Sequence, residues 1–298
     1  MPLVHKSVLL HESIELLQVK PNHWYIDATL GSAGHTLEIL KQGGKVIGLD
    51  QDPDAVIRAR NHVESNCPNS LQNNYFFHHA NFTRFAEIMT HYKIETIDGI
   101  LFDLGFSSDQ MADPQKGLSF QIDSPLDMRL DPNLGVTAAD MINVGSITQL
   151  TDLFKTYGDE PKAKKIAEEI VKRRSSHPIS TTKDLAEIIK NIYQHTHLSI
   201  HPATKVFQAL RIAVNSELQN LTQILPQTIE KLSPGGRFVC ISFHSGEDKI
   251  IKSFIREYSQ GQNALIQDLT PKPIYPTQQE IKLNPRARSA KLRGFQKL

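Results

Sequence analysis

Three aspartates stand where β-rich runs of the sequence end. Asp27 closes Trp24-Tyr25-Ile26, Asp50 closes Lys45 to Leu49, and Asp103 closes Ile97 to Phe102. Between the first two lies a glycine turn, Gly31-Ser32-Ala33-Gly34-His35, which leads into a short helical stretch, Thr36 to Lys41. A strand, a glycine turn and a helix start together bring backbone N–H groups close to a ligand. Asp50 follows Gly31 by 19 residues, the interval at which a strand-end carboxylate can accept both ribose hydroxyls of an adenosine. Taken singly, a glycine turn and a strand-end aspartate are ordinary turn chemistry. In register with the strand pattern they predict an adenosine-containing cofactor. Gly31 and Gly34 lack the G-x-G-x-x-G spacing that receives a pyrophosphate. The turn therefore suits a ligand without phosphate, such as S-adenosylmethionine. Asp27 stands where it either meets an amino-acid ammonium or caps the turn itself.

The run Asp103-Leu104-Gly105-Phe106 shares its first and last members with a motif of methyltransferases that act on exocyclic amines: an Asp, Asn or Ser, two prolines and an aromatic. The middle pair differs. The chemistry of the amine explains the polar member. The N4 lone pair of cytosine is delocalised into the ring and is a poor nucleophile. An oxygen acceptor for the N4–H groups favours pyramidalisation and takes the proton after in-line attack on a methyl group. Asp103 can also cap a turn. Ligands of open α/β sheets gather at the carboxyl ends of strands, which favours the functional reading.

Positioning these groups requires a parallel sheet, and the first third of the chain reads as one. Strands at 24–28, 45–49, 75–78 and 97–102 alternate with helices, one of them opened by Asp52 as N-cap and Pro53 at the first helical position. Strands separated by helices imply right-handed crossovers. From Ser107 to about Thr204 no buried strand is expected, and amphipathic patterns such as Lys162 to Arg174 and Lys183 to Tyr193 mark helices. Lys205 to Lys231 continues helically, with Pro226 the expected break. Ser233-Pro234-Gly235-Gly236 reads as a turn, Arg237 to Phe243 as a strong strand, and 264–269 as a weaker one after a helix from about Glu247 to Tyr258. The expectation is a doubly wound α/β domain in two segments, 1–107 and 205–298, with a helical domain inserted at 108–204.

Composition narrows the class. A chain of 298 residues with 39% hydrophobic and 22% charged residues can bury a core. Two cysteines, Cys67 and Cys240, make no disulfide scaffold and point to a reducing compartment. No apolar run reaches the roughly 18 residues of a membrane span, and Met1 to Leu10 is too short and polar for a signal peptide. A cytoplasmic globular protein is expected. The net charge is +1, yet residues 95–140 hold nine acidic and two basic side chains, and residues 281–298 hold six basic and none acidic. The basic tail can lie on a polyanion or simply be solvated.

Longer motifs carry a resemblance. They include His5-Lys6-Ser7-Val8-Leu9-Leu10, Tyr25-Ile26-Asp27-Ala28-Thr29-Leu30-Gly31, Gly48-Leu49-Asp50-Gln51-Asp52-Pro53 and Asp98-Gly99-Ile100-Leu101-Phe102-Asp103-Leu104-Gly105. Further along stand Pro125-Leu126-Asp127-Met128-Arg129, Tyr157-Gly158-Asp159-Glu160, His201-Pro202-Ala203-Thr204, Ser242-Phe243-His244-Ser245 and Asn284-Pro285-Arg286-Ala287-Arg288-Ser289. In this order, over nearly the whole chain, they resemble the RsmH (MraW) small-subunit ribosomal RNA cytosine-N4 methyltransferases. The resemblance implies a class I methyltransferase, Rossmann-like, with an inserted helical substrate domain. It implies S-adenosylmethionine as cofactor, no metal, and as substrate a decoding-site cytidine of 16S rRNA in the assembled small ribosomal subunit. Cofactor contacts carried over by motif fall on Ala33, Gly34, His35, Asp50, Phe82, Asp103 and Gln110. Asp103 is the first candidate for proton acceptor, with His244, Asn215 and Glu217 in reserve. Arg286, Arg288, Lys291 and Arg293, and a second group at Lys162, Lys164, Lys165, Arg173 and Arg174, are candidates for rRNA phosphates.

The chain departs from the family at Ala33, usually glycine, and at Phe106, usually a small aliphatic. Two rivals stay open. A nicotinamide-dependent oxidoreductase would want a better G-x-G-x-x-G. An RNA-binding ribosome-assembly factor with weak or lost catalysis would make Ala33 its symptom. Whether two copies pair as a homodimer stays open too.

Overall fold

The computed structural model describes residues 7–194 and 200–298, and for Asn69 and Ser70 the backbone alone. His5 and Lys6 of the first motif lie outside the described residues. The strands are β1 (Trp24–Asp27), β2 (Lys45–Asp50), β3 (Tyr75–His79), β4 (Ile97–Asp103), β5 (Leu232–Ser242), β6 (Ile266–Asp268) and β7 (Lys291–Lys297). The helices are α1 (Leu10–Leu17), α2 (Gly34–Lys41), α3 (Pro53–Asn66), α4 (Phe85–His91), α5 (Ser108–Ala112), α6 (Ala138–Val144) and α7 (Ile147–Gly158). They continue with α8 (Ala163–Arg174), α9 (Thr182–Ile192), α10 (Thr204–Val214), α11 (Glu217–Lys231), α12 (Ser245–Tyr258) and α13 (Gln278–Leu283). None is long and apolar enough to cross a membrane.

The chain divides into two compact units, Met1–Phe106 with Leu218–Leu298, and Ser107–Glu217. The first holds a seven-stranded sheet in the order β3-β2-β1-β4-β5-β7-β6. β3 through β5 run parallel, and β7 is antiparallel to both neighbours. This is the expected doubly wound α/β arrangement, with one antiparallel strand inserted beside β5. Its strands read as nearly continuous apolar runs because both faces are covered. Ile26, Ile47, Ile100, Phe102, Phe238 and Cys240 face one core, which also holds Ile88 of α4, Leu225 of α11 and Ile251 of α12. The alternate residues Tyr25, Val46, Leu101, Val239 and Ile241 face the other, with Leu17 of α1, Ile39 of α2 and Ala59 of α3. α3 is opened as its sequence predicts, with Asp52 Oδ1 accepting the Asp54 N–H at 3.1 Å and Pro53 at the first position.

The second unit is helical and, among its described residues, contains no strand beyond the single bridge Pro125–Thr181. Its far boundary lies at Glu217 rather than the expected 204. α10 packs on α7, burying Val206, Phe207 and Leu210, and Asn215 then pins the chain to the Met128–Leu130 loop. Those contacts keep α10 in the helical unit. The helical run also breaks elsewhere than at Pro226, which sits inside α11. The break comes at Asn215–Ser216, where Ser216 turns left-handed (φ 51°). Ser233–Gly236 is an irregularity inside β5: the pairing with β4 jumps from Ile97↔Leu232 to Gly99↔Arg237, which lets the turn bulge while the ladder resumes.

Candidate active site

In an open α/β sheet the ligand crevice lies at the carboxyl ends of the strands, where the strand order reverses. Here that point is between β1 and β4, and Asp27 and Asp103 end those two strands. The ends are tied together: the Asp103 N–H donates to Thr29 Oγ1 at 2.6 Å. Asp27 is buried, and its Oδ2 accepts the Thr36 hydroxyl of α2 at 2.6 Å. Burial pushes its carboxyl up to about 7, against the pull of Thr36 and Thr29 hydrogen bonds, and the Asp50 charge adds to the rise. Oδ1 of Asp27 has no partner among the described residues, and neither does Oδ1 of Asp103.

Asp50 holds the turn itself. Its Oδ2 accepts the Gly31 N–H at 2.8 Å and its Oδ1 the Asp52 N–H at 2.9 Å. Burial raises this carboxyl to about 6, the two backbone bonds opposing the rise. Gly31 takes φ 50° and Ala33 φ 61°, so the turn uses the left-handed region twice in three residues. Ala33 is fully buried, and its own N–H reaches Leu30 O at 2.7 Å. Thus the chain keeps a glycine-like backbone at a position occupied by alanine.

Asp103 sits in an acidic crowd that the sequence reading did not include. Its carboxyl stands well above the ordinary carboxylate range, first through burial and then through the negative charges of Asp27, Glu247 and Glu280. His35 lies beside it, with Nδ1 3.9 Å from Asp103 Oδ2. Glu247 opens α12: its Oε2 accepts the Phe243 N–H at 2.8 Å and the His244 N–H at 3.3 Å. The spacing His244-x-x-Glu247 just after a strand is a capping pattern, which could have flagged Glu247. Glu280 lies some 180 positions from Asp103 in sequence and carries no comparable signal. Phe82 follows β3 and rests edge-on against Phe102, ring centroids 5.5 Å apart.

The MraW methylase family matches residues 2–298. The chain belongs to that family. A ribosomal RNA small subunit methyltransferase H of Thermomicrobium roseum is 44% identical over 310 residues, covering 99% of this chain and 94% of that protein. One of Carboxydothermus hydrogenoformans is 41% identical, covering 100% of this chain and 99% of that protein. An rRNA methylase structure from Streptococcus thermophilus aligns over 98% of both chains at 12% identity, with a TM-score of 0.46.

The other expected residues fall into local roles. Gln110, in the helical unit, accepts the Ser107 N–H through Oε1 at 2.8 Å and completes the capping box of α5. Asn215 is buried, donating to Met128 O and Arg211 O and accepting from Leu130 N–H, so it pins a loop. Glu217 is held by Arg211 through two 2.8 Å bonds. The His244 ring accepts the Gly246 N–H at Nδ1, 3.2 Å away. Among the described residues, His244 Nε2 is buried without a hydrogen-bond partner.

Two of the four basic residues expected to hold rRNA phosphates in the tail have partners inside the fold. Lys291 and Arg293 belong to β7, and both bind Asp248, at 3.0 and 2.6 Å. Arg286 and Arg288 are exposed. On α8, Arg174 spends its guanidinium on Ile142 O and Gly145 O. Lys162 lies over the Tyr193 ring at 4.0 Å, while Lys164 and Lys172 pair with Glu168 and Glu169.

Proposed function

We propose that this methylase transfers a methyl group from S-adenosylmethionine to N4 of a decoding-site cytidine in 16S rRNA, on the assembled small ribosomal subunit. The names of its 40–44% identical relatives support small-subunit rRNA as the substrate class. The observation that carries the chemistry is Asp103: a carboxylate at the switch point, with one buried oxygen lacking a partner.

The residues fit the donor. Asp27 Oδ1 is a buried acceptor without a partner, suited to an ammonium group. Each oxygen of Asp50 holds one backbone N–H and keeps a second lone pair for a ribose hydroxyl. Ala33, Gly34 and His35 line the turn at the start of α2, and Phe82 offers a ring for adenine. When bound, S-adenosylmethionine supplies a methyl group on a positively charged sulfur. Asp103 accepts a hydrogen bond from the cytosine N4–H and orients the lone pair. With the donor bound, its sulfonium would give up the methyl group to N4 and leave as the neutral thioether, and Asp103 would take the N4 proton. Arg286 and Arg288 are assigned to rRNA phosphates, where they position without reading sequence.

The assembly-factor reading gains nothing from Ala33, because the turn keeps its left-handed backbone there. The deciding experiment incubates the protein with methyl-labelled S-adenosylmethionine and small subunits from cells lacking the modification. Nuclease digestion and mass spectrometry then locate the label. Label on cytosine N4 is the expected result; label on another atom, or none despite cofactor binding, overturns the reading.

A further inference from the structure

Glu280 lies 271 positions from Leu9, and its Oε1 accepts the Leu9 backbone N–H at 2.8 Å. Thr277 caps α13 by accepting the Glu280 N–H at 3.1 Å. The Thr277-x-x-Glu280 spacing ordinarily returns the acidic side chain to the Thr277 N–H, closing a capping box. Here the carboxylate serves the far end of the chain instead. Leu9 needs an acceptor: it is fully buried, left-handed (φ 50°), and opens α1 without a side-chain cap. A buried N–H left without a partner is destabilising, so the Glu280 bond fixes this backbone.

The consequence falls at Gly34. A Cβ built on Gly34 would stand 2.0 Å from Ser7 Oγ and 3.2 Å from Ser7 Cβ. Ser7 to Leu9 therefore forms a strap laid against the first residue of α2, where the glycine turn meets the helix. Glu280 is also among the three carboxylates whose charge bears on Asp103. One side chain near the end of the chain thus touches the segment that covers the turn and sets part of the field at the candidate base.

We propose that Glu280 is a positioning residue for methyl transfer: it latches the Ser7–Leu9 strap onto Gly34 and so holds the Gly31–Gly34 turn in its donor-binding geometry. The inference rests on the reading of that turn as the methyl-donor site.

The test compares Glu280→Ala with Glu280→Gln in the full-length protein. Hydrogen exchange at Leu9 reports the latch, calorimetry with S-adenosylmethionine reports donor binding, and the pH profile of kcat/KM reports the field at Asp103. Glutamine keeps an acceptor oxygen and loses the charge. In Glu280→Ala the Leu9 amide is expected to exchange about tenfold faster or more, and the dissociation constant for the donor to rise about tenfold, the scale of one charged hydrogen bond. In Glu280→Gln both should stay within about threefold. The acid limb of the pH profile should move to lower pH in Glu280→Gln. Of the groups facing Asp103, namely Asp27, Glu247, Glu280 and His35, one repelling charge is then gone. Unchanged Leu9 exchange in Glu280→Ala overturns the latch. Faster exchange with unaltered donor affinity overturns its role in binding. A wild-type protein that protects Leu9 yet binds no S-adenosylmethionine overturns the donor-site reading, and the purpose of the latch with it.

Discussion

The Asp103 backbone N–H donates to Thr29 Oγ1 at 2.6 Å, across 74 positions of sequence and across the point where the sheet's order reverses. That bond sets the end of β4 against the loop leaving β1, and each of the two strand ends carries a buried carboxylate oxygen without a partner among the described residues. On the proposed reading, this arrangement leaves Asp103 Oδ1 available to a ligand. A cap would spend its oxygens on local backbone N–H groups, as Asp50 and Asp52 do.

Replacing Asp103 with Asn keeps the shape of the side chain and removes the base. Turnover on small subunits is expected to fall about 10²–10⁴-fold, the usual contribution of a general base. The unfolding midpoint should not drop, because burial and the neighbouring Asp27, Glu247 and Glu280 disfavour the ionised form of Asp103, which asparagine cannot adopt. Steady-state methylation and thermal unfolding check both halves, and near-normal turnover would remove Asp103 from the mechanism.

Stability should respond to pH through Asp27. Its carboxyl is raised to about 7 in the fold against an ordinary value of 3.8, so the folded state binds the proton more tightly than the unfolded chain. The stabilisation from this group is complete below about pH 4 and is lost as pH rises through 7. The ligand-free protein should therefore unfold at a lower temperature at pH 8 than at pH 5. Asp27→Asn should flatten that difference while keeping the Thr36 bond. A midpoint difference unaltered by Asp27→Asn would contradict the assignment.

The sheet through β5 was readable from sequence because parallel strands covered on both faces read as apolar runs punctuated by capped helices, and Asp52-Pro53 marks such a start. β7 was not. Its alternation carries Lys291, Arg293 and Lys297, a pattern that reads as a solvated basic tail until Asp248, 45 positions before Arg293, supplies the partner. The site was legible in the same uneven way. Strand-end aspartates announce themselves by position, whereas Glu280 acts through a contact that no local spacing encodes. The end of the helical insertion is not encoded in periodicity, which describes one helix and does not say which neighbour it packs on.

Ala33 tests how far a methyl group is tolerated in a left-handed turn. Alanine pays about 1–2 kcal/mol for that backbone, and glycine would relieve it. Glycine would also forfeit a buried methyl, about 0.8 kcal/mol, and add unfolded-state freedom, about 0.4–1 kcal/mol. The terms nearly cancel, so Ala33→Gly should change stability by no more than about 1 kcal/mol. Ala33→Val should destabilise strongly, since a β-branched residue in this conformation has no room at a fully buried site. Denaturant unfolding of both variants distinguishes the cases, and a Val variant as stable as the parent would show that the turn can abandon its left-handed form.

Arg288 and Arg293 stand five positions apart and should behave oppositely. Arg293 is buried, with Nε 2.6 Å from Asp248 Oδ1. Asp248→Ala leaves that cation without its carboxylate and should cost about 3–5 kcal/mol, the usual penalty for breaking a buried pair. Arg288 is exposed, and its removal should leave stability within about 0.5 kcal/mol. If it holds an rRNA phosphate, Arg288→Ala should instead weaken RNA binding and lower the slope of log affinity against log salt by about one. Denaturant unfolding and salt-titrated binding to small subunits measure the two effects separately. An unchanged salt slope would take Arg288 out of the RNA-binding surface.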